Sequence, residues 1–405
     1  MNESSSQSAD ASPSLKVSFF VNDLSNNSIA RIAPLASSID QKYDVEVLGL
    51  LISGENVHEP YQGAFDYKTV STTTHASDLF PNILRLAALA TGDIVYAGKP
   101  LVTSFAPALV AARFYERRPL FLDVEDDDWQ KRYGGDKPWW RFVWRDVMKG
   151  WRLGTSWKYA AATHALTGQS DRVTVVSRKL QRRYGGTLLH HARDERAFNP
   201  ARFDGGQASL RQKRNLPEER KLALFAGVPR SHKGLDTLAE ALSRPAAKDW
   251  DLVMAGPREN AISQHVEATL GPRCHHLGYL SYDEMPELLA TVDAVPLPQK
   301  AVVYAESQVP AKVIEALAMA RPVVGTRMGE LPEILGHGQR GWVVEPECPA
   351  ALADALGDIA TRPKEARRRG QAGREWFMKN ASSSATFSML DTMFAEVSQN
   401  GRRAA

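Results

Sequence analysis

Short apolar runs alternate with amphipathic, helix-like segments along almost the whole chain of 405 residues. Apolar, β-branched runs of this length are typical of strands buried on both faces, and the segments between them would cover those faces. The alternation therefore predicts an α/β fold of parallel sheets wrapped by helices. The predicted strands are Lys16–Val21, Asp44–Leu50, Asp93–Ala97, Pro119–Val124 and Arg172–Val176 in the first half, and Lys221–Ala226, Asp251–Ala255, Cys274–Leu277, Asp293–Leu297, Arg321–Gly325 and Gly341–Val344 in the second.

A stretch without clear periodicity divides this pattern into two halves. It contains Gly, Arg and Pro and is interpreted as a linker over residues 201–219, between domains at 15–200 and 220–380. Residues 1–14 are rich in Ser and acidic groups and are expected to be a disordered tail. Residues 381–405 carry an amphipathic run, and a terminal helix with an apolar face must bury it, so we expect it to return to the first domain.

Composition and charge exclude several classes of protein. The 50 Lys and Arg residues against 47 Asp and Glu leave a net charge of +3, which is too small for a general nucleic-acid binder. Two cysteines, Cys274 and Cys348, cannot build a disulfide framework and fit a reducing compartment. The histidine pairs are adjacent instead of three or four residues apart, so no metal site is expected. Without a secretory signal or a long apolar span, the expected location is cytoplasmic.

The first chemical signal is a glycine-containing turn after the strand that ends near Ala226. Gly227 is followed by Arg230 and Lys233 just before a predicted helix. Backbone amides at a helix start, together with two cations, would form a pocket for a diphosphate. The alternative is an exposed basic turn. A dehydrogenase and a P-loop enzyme are both disfavoured, because neither glycine-rich motif follows any predicted strand.

The second signal is the segment ProAlaLysValIleGluAlaLeuAla, which begins at Pro310. Lys312 and Glu315 stand three residues apart and therefore on neighbouring parts of one helix face. A carboxylate near the start of a helix can accept hydrogen bonds from both ribose hydroxyls of a nucleotide. The alternative is an ion pair on a solvated face, which would contribute little.

With these motifs the second half resembles glycosyltransferase family 4, the retaining nucleotide-sugar transferases of GT-B fold. The resemblance runs from the turn at 227–234, through LeuGlyTyrLeuSerTyrAspGluMetPro at 277–286, to GlyGluLeuProGluIleLeu at 329–335. It implies two Rossmann-like domains facing across a cleft. The chain departs from the two-glutamate motif of many members: Glu306 is one position off register, and a Pro-x-Lys-x-x-Glu variant takes its place.

The resemblance also assigns roles to residues on the donor side. Arg230 and Lys233 would bind the donor diphosphate and stabilise the charge that develops on it, so they are the catalytic candidates. Glu315 would bind the ribose, and the loop before Pro310 would face the transferred sugar. The donor-binding candidates are Gly227, Arg230, Lys233, Ser307, Gln308, Val309, Pro310, Lys312 and Glu315.

Candidates on the acceptor side lie in the first half. Asn26 and Asn27 replace a glycine pair common in the family and are expected to adopt left-handed backbone angles. Lys99 occupies the neighbourhood where members often carry a histidine. Asp126 belongs to an acidic run after a strand, which we interpret as an acceptor-side or structural loop and not as a metal site.

Six of the nine tryptophans fall between Trp129 and Trp157. On a helix, Trp140 and Trp144 share one arc, flanked by Arg141 and Arg145. Two interpretations stay open. The helix could lie at an anionic membrane surface, because Trp prefers the headgroup boundary and basic side chains attract anionic lipid. Alternatively, it packs against the sheet of the first domain with its arginines solvated.

Taken together, the sequence predicts a retaining glycosyltransferase of hexosyltransferase type. It would move sugar from a UDP- or GDP-sugar to a glycan, lipid-linked or small-molecule acceptor, with no catalytic metal or other cofactor and no nucleic-acid partner. Polysaccharide or glycolipid biosynthesis at the inner face of a membrane is the expected setting. Two alternatives are a GT-B sugar-nucleotide epimerase and a non-catalytic membrane-surface binding protein on a degenerate transferase fold.

Overall fold

A computed structural model describes residues 15–128, 140, 141, 144, 156–203 and 205–404. The chain packs into two compact units. Their described residues are 15–122, 156–171 and 391–404 in the first unit, and 123–128, 140, 141, 144, 172–203 and 205–390 in the second.

The strands of the first half form one sheet in the order β3-β2-β1-β4-β5-β6-β7. The central strand β1 pairs in parallel with β2 on one side and β4 on the other. Its residues after the first are buried, which is the reason for its unbroken apolar sequence. The strands are β1 (Lys16–Val21), β2 (Asp44–Leu51), β3 (Asp66–Ser71), β4 (Ile94–Gly98), β5 (Leu120–Val124), β6 (Arg172–Val175) and β7 (Thr187–Leu188).

Helices connect these strands, as parallel pairing requires. Each buries one apolar face: α1, for example, buries Leu35 and Ile39, and α2 buries Ile83 and Leu86. The helices are α1 (Ile32–Ile39), α2 (Ala76–Ala88), α3 (Phe105–Val110), α4 (Trp157–Ala165) and α5 (Arg178–Tyr184).

The second half contains two three-stranded parallel sheets, in the orders β10-β9-β8 and β11-β12-β13. They meet where the Leu224 amide donates to the Ala294 carbonyl at 3.0 Å. Trp250 lies in the apolar core of this half and donates from Nε1 to the Leu356 carbonyl. The strands are β8 (Lys221–Ala226), β9 (Trp250–Ala255), β10 (Cys274–Gly278), β11 (Val295–Leu297), β12 (Val323–Thr326) and β13 (Trp342–Val344).

Helices of the second half follow the same alternation and end in a helical run. They are α6 (Gln207–Lys213), α7 (Leu235–Leu242), α8 (Ala261–Leu270), α9 (Met285–Thr291), α10 (Ala311–Ala318), α11 (Leu331–Ile334), α12 (Pro349–Thr361), α13 (Pro363–Asn380) and α14 (Ser383–Ala404).

The last helix, α14, contacts residues of the N-terminal half within the first unit. Phe394 is fully buried and packs edge-on against Tyr43 and Phe121 at ring distances of 5.3 and 5.1 Å. Asp391 accepts hydrogen bonds from Lys42 Nζ and Tyr43 Oη, both at 2.6 Å. Burying a Phe side chain contributes about 2–3 kcal/mol, so this contact is a substantial part of what holds α14 in place.

The predicted α/β fold class is confirmed, and each of the eleven predicted strands is present within two residues of its expected bounds. The predictions omitted β3 and β7. In the described part of the chain, no helix is both long and apolar enough to cross a bilayer. The linker and the domain bounds stay predictions.

Candidate functional site

The predicted diphosphate turn follows β8 and depends on two glycines. Gly227 has a φ of +119° and donates its amide to the Ala255 carbonyl at 2.7 Å. Gly234 has a φ of +67° directly before α7, and a Cβ there would lie 1.8 Å from the Pro298 carbonyl oxygen. Only glycine can combine that backbone angle with that close approach. The turn therefore delivers the chain tightly from β8 into the start of α7.

Three cations surround this turn. Lys233 donates from Nζ to the Val228 carbonyl at 2.8 Å. Burial, together with the positive charges of Arg230 and Lys312, lowers the pKa of Lys233 to about 8. Arg230 is exposed at the surface. Like charges held this close without an anion favour binding of a negatively charged group, such as a diphosphate.

Glu315 lies on α10 and is only 2% exposed. Arg193 donates to its Oε1 from Nη2 at 2.8 Å and from Nε at 3.2 Å, while Lys312 donates from Nζ to Oε2 at 2.8 Å. Burial alone would raise the pKa of this carboxyl, but the charges of Lys312 and Arg193 outweigh it, and the net shift is downward. Glu315 is therefore an ionised, buried acceptor and not a member of a solvated surface pair.

Arg193 is a partner of the site that the sequence did not reveal. Its amide donates to the Ala381 carbonyl at 3.0 Å, and its carbonyl accepts from the Ser383 amide at 2.9 Å. Its guanidinium lies over the Tyr282 ring, with the charge centre 5.6 Å from the ring centroid. No local pattern marks it, because its partner is 122 residues away in the chain.

The loop before α10 is held by hydrogen bonds to earlier residues of the same unit. The Ser307 carbonyl accepts from Ser177 Oγ at 2.8 Å, and Ser307 Oγ donates to the Tyr304 carbonyl at 3.0 Å. Gln308 Nε2 donates to Asp126 Oδ1 at 2.9 Å. A residue predicted for the acceptor side is thus brought against one predicted for the donor side.

The rest of this loop is held in the same way. His191 Nε2 lies 3.0 Å from the Val309 carbonyl oxygen, and Val309 itself is buried. Glu306, which is off register with the family motif, forms an ion pair with Lys179. Pro310 has an extended backbone and precedes the first residue of α10. The loop is therefore built into the unit before any ligand is present.

In the first unit, the expectation for the asparagines is wrong. Asn26 has a φ of −139°, in the extended region, because its Oδ1 accepts from the Ser28 amide at 2.9 Å and caps the short helix that begins at Asn27. Asn27 is also absent from the left-handed region. Lys99 instead has the left-handed backbone, with a φ of +72°.

Of the predicted aromatic helix, Trp140, Arg141 and Trp144 are described, while Arg145 lies outside the described residues. Trp140 is 52% and Trp144 is 63% exposed, and Arg141 is exposed as well. Packing of these two indoles into a core is therefore not what the structure shows. Among the described residues, no three His, Cys, Asp or Glu side chains come together in a way that could hold a metal ion.

Comparison with known proteins identifies the second half of the chain. Residues 206–376 match the sequence profile of glycosyl transferases group 1. An MMP alpha-(1->4)-mannosyltransferase of Mycolicibacterium hassiacum is 28% identical over 205 residues, which is 48% of each chain. The chain matches about half the length of that curated relative.

Solved structures cover nearly the whole chain. A glycosyltransferase from Rickettsia africae has a TM-score of 0.73 at 15% identity, over 96% of this chain and all of its own. Anabaena HepE, solved in complex with UDP-glucose, has a TM-score of 0.70 at 16% identity, over 94% of this chain and all of its own. The chain therefore has the α/β fold of GT-B glycosyltransferases, and residues 206–376 match the glycosyl transferases group 1 family.

Proposed function

We propose that this protein is a retaining glycosyltransferase of hexosyltransferase type that takes its sugar from a UDP- or GDP-sugar without a catalytic metal. The observation that carries the proposal is the cation cluster of Arg230, Lys233 and Lys312 beside the buried carboxylate of Glu315. All four residues lie within the segment that matches group 1 transferases.

The cations suit the departure of a diphosphate. In the transfer, the bond between the anomeric carbon and the diphosphate oxygen breaks, and a bond from that carbon to an acceptor hydroxyl oxygen forms. The hydroxyl proton passes to the released diphosphate or to solvent. Negative charge develops on the leaving oxygen, and fixed cations near it lower the barrier without a proton transfer from the protein. This is the role we assign to Arg230 and Lys233.

Glu315 suits a ribose. Arg193 supplies two hydrogen bonds to Oε1 and Lys312 supplies one to Oε2, so one acceptor position on Oε2 stays available. Lys312 has a side chain that is 32% exposed, and it can turn from Glu315 towards an incoming diphosphate, which would open a second position. Arg193 is 7% exposed and would hold the carboxylate in place meanwhile.

The relatives support a nucleotide-sugar donor. One solved neighbour holds UDP-glucose, and the curated relative of M. hassiacum transfers mannose. For the acceptor we propose a hydroxyl of a glycan, a lipid-linked sugar or a small molecule, with retention of the anomeric configuration as the family resemblance implies.

A donor screen tests the proposal. Wild-type protein is incubated with UDP- and GDP-hexoses, with and without candidate acceptors, and products are identified by mass spectrometry and by the anomeric coupling in NMR. Transfer or slow hydrolysis with retention supports it. Release of an epimerised nucleotide sugar would instead identify an epimerase, and nucleotide binding without any turnover would identify a binding protein. Lys233→Ala should lose turnover, and Lys364→Ala, at an exposed lysine, should not.

We also propose that the protein associates peripherally with anionic membranes through the segment that contains Trp140, Arg141 and Trp144. The exposure of both indoles next to a basic side chain supports this. Co-sedimentation with phosphatidylglycerol vesicles should fall in the double variant Trp140→Ser/Trp144→Ser. Phe114→Ser, at a ring that is exposed elsewhere, is the matched control. Equal binding by the double variant, or none by the wild type, would contradict this assignment.

A further inference from the structure

The sheet of the first half has a topological switch point between β1 and β4. From β1 the chain proceeds to β2 and β3 on one side of the sheet and then to β4 on the other. In open α/β sheets, ligands bind outside the carboxyl ends of the strands at such a point. Phe20 pairs with Ala97 across the two strands, so Asn22 and Lys99, each two residues further on, follow the strands at the same level.

Lys99 is held at this point in a backbone conformation that glycine would adopt more easily. Its φ is +72°, in the left-handed region, and its carbonyl accepts from Ser104 Oγ at 3.0 Å. Asn22 is fixed beside it by a hydrogen bond from Thr103 Oγ1 to its Oδ1. Strained residues that the surrounding structure holds in place concentrate at functional sites. A lysine retained where glycine would fold with less strain indicates that its side chain is needed.

A second positive charge belongs to the same edge. Arg31 is only 4% exposed and directly precedes α1. The first residue of α1, Ile32, packs on the strand end of β4, because a Cβ at Gly98 would lie 2.8 Å from Ile32 Cγ1. Arg31 is thus anchored one residue from a side chain that touches the neighbour of Lys99.

The carboxylate nearest in the chain to this edge, Asp23, is occupied within its own loop. Asp23 is 3% exposed. It accepts hydrogen bonds from the backbone and side chains of residues in two neighbouring loops, which are Ser25, Asn26, Ile52 and Ser53. A carboxylate satisfied in this way does not need Lys99 as its counter-ion.

We propose that Lys99, with Asn22 beside it, binds an oxyanion of the acceptor, a phosphate or a carboxylate. The inference rests on the proposed function, since it names the acceptor class of that reaction. A cation and an amide donor at a switch point are the groups that recognise such an anion. The acceptor of the reaction is then an anionic hydroxyl compound and not a neutral glycan.

Titration with small anions tests the proposal on the full chain. The protein is first saturated with UDP and GDP together, so that the Arg230 and Lys233 site is filled, and sodium phosphate or sodium acetate is then titrated in and followed by calorimetry at constant ionic strength. Wild type should bind one of the two anions. Lys99→Gln should weaken that binding at least about tenfold, and Lys99→Arg should keep it within about threefold. Lys158→Gln, at an exposed lysine of α4, should leave it unchanged.

Lys99→Gly separates binding from folding. Glycine removes the backbone strain, so its thermal midpoint should equal or exceed that of the wild type while anion affinity is lost. No anion binding by the wild type, or equal binding by Lys99→Gln, would overturn the proposal. Anion binding that depends on Lys99 in a protein that turns over no nucleotide sugar would instead leave this site standing and remove the transferase proposal.

Discussion

Arg193 and Glu315 form a buried ion pair in which Nη2 and Nε of the guanidinium both donate to the same carboxylate oxygen, Oε1, at 2.8 and 3.2 Å. The backbone of Arg193 is tied to the junction between α13 and α14 through Ala381 and Ser383. The orientation of the candidate ribose acceptor therefore depends on a segment about 65 residues further along the chain than Glu315 itself.

Replacing Arg193 with Met should destabilise the protein by about 3–5 kcal/mol, because it leaves the buried Glu315 with Lys312 as its remaining cation. The change is measured as the free energy of unfolding in urea. The double variant Arg193→Met/Glu315→Gln should recover part of that loss, since the uncompensated charge is gone. Arg196→Met, at an exposed arginine three residues away, should change stability by less than about 0.5 kcal/mol. A loss at Arg193 no larger than at Arg196 would show that the pair does not stabilise the fold.

Much of the fold could be predicted from sequence because a strand such as β8, buried over most of its length, is an unbroken apolar run. The strand β3 could not, because its residues are polar and half-exposed at the edge of the sheet. The same division holds for the site. Lys233 and Glu315 lie in local motifs, whereas the pairing of Glu315 with Arg193 is imposed by the fold across a long separation. The left-handed backbone of Lys99 is likewise set by its surroundings, and residue type gave the wrong position for it.

Gly234→Ala should destabilise the protein more than the same change at Gly271. Both glycines have left-handed backbones, with φ values of +67° and +55°. A Cβ at Gly234 would lie 1.8 Å from the Pro298 carbonyl oxygen, whereas one at Gly271 would meet nothing within 4 Å. We expect a cost of about 1 kcal/mol at Gly271 from the backbone angle alone and at least about 2 kcal/mol more at Gly234 from the overlap. Urea unfolding measures both, and equal losses would contradict the close approach that shapes the turn.

Nucleotide binding should take up protons above pH 8. The pKa of Lys233 is lowered to about 8, so at higher pH most of the free protein carries a neutral amine there. A diphosphate favours the charged form and raises this pKa in the complex, so affinity should fall as pH rises through 8 to 10. In the free protein the sign is opposite: the unfolded chain binds more protons between pH 8 and 10.5, so the contribution of Lys233 to stability grows with pH across that window.

Calorimetry of UDP or GDP binding at pH 8.5, in buffers of different ionisation enthalpy, gives the number of protons taken up. Wild type should show a positive uptake that Lys233→Ala abolishes and that Lys364→Ala, at an exposed lysine, preserves. An uptake that survives in Lys233→Ala would mean that another group titrates on binding.

Glu315→Gln should weaken nucleotide binding about 10- to 100-fold, because it removes a charged acceptor from the ribose hydroxyls. Loss of affinity alone would also follow if the substitution merely disturbed Arg193 and Lys312, which donate to the same carboxylate. The 2′,3′-dideoxy nucleotide resolves this, because it keeps the diphosphate and lacks both hydroxyls. If Glu315 binds the ribose, wild type should discriminate between the two nucleotides and Glu315→Gln should bind both with similar affinity. Glu333→Gln, at a half-exposed carboxylate, should discriminate as the wild type does. Weakening of both nucleotides by the same factor would place the effect on the cations and remove Glu315 from the ribose site.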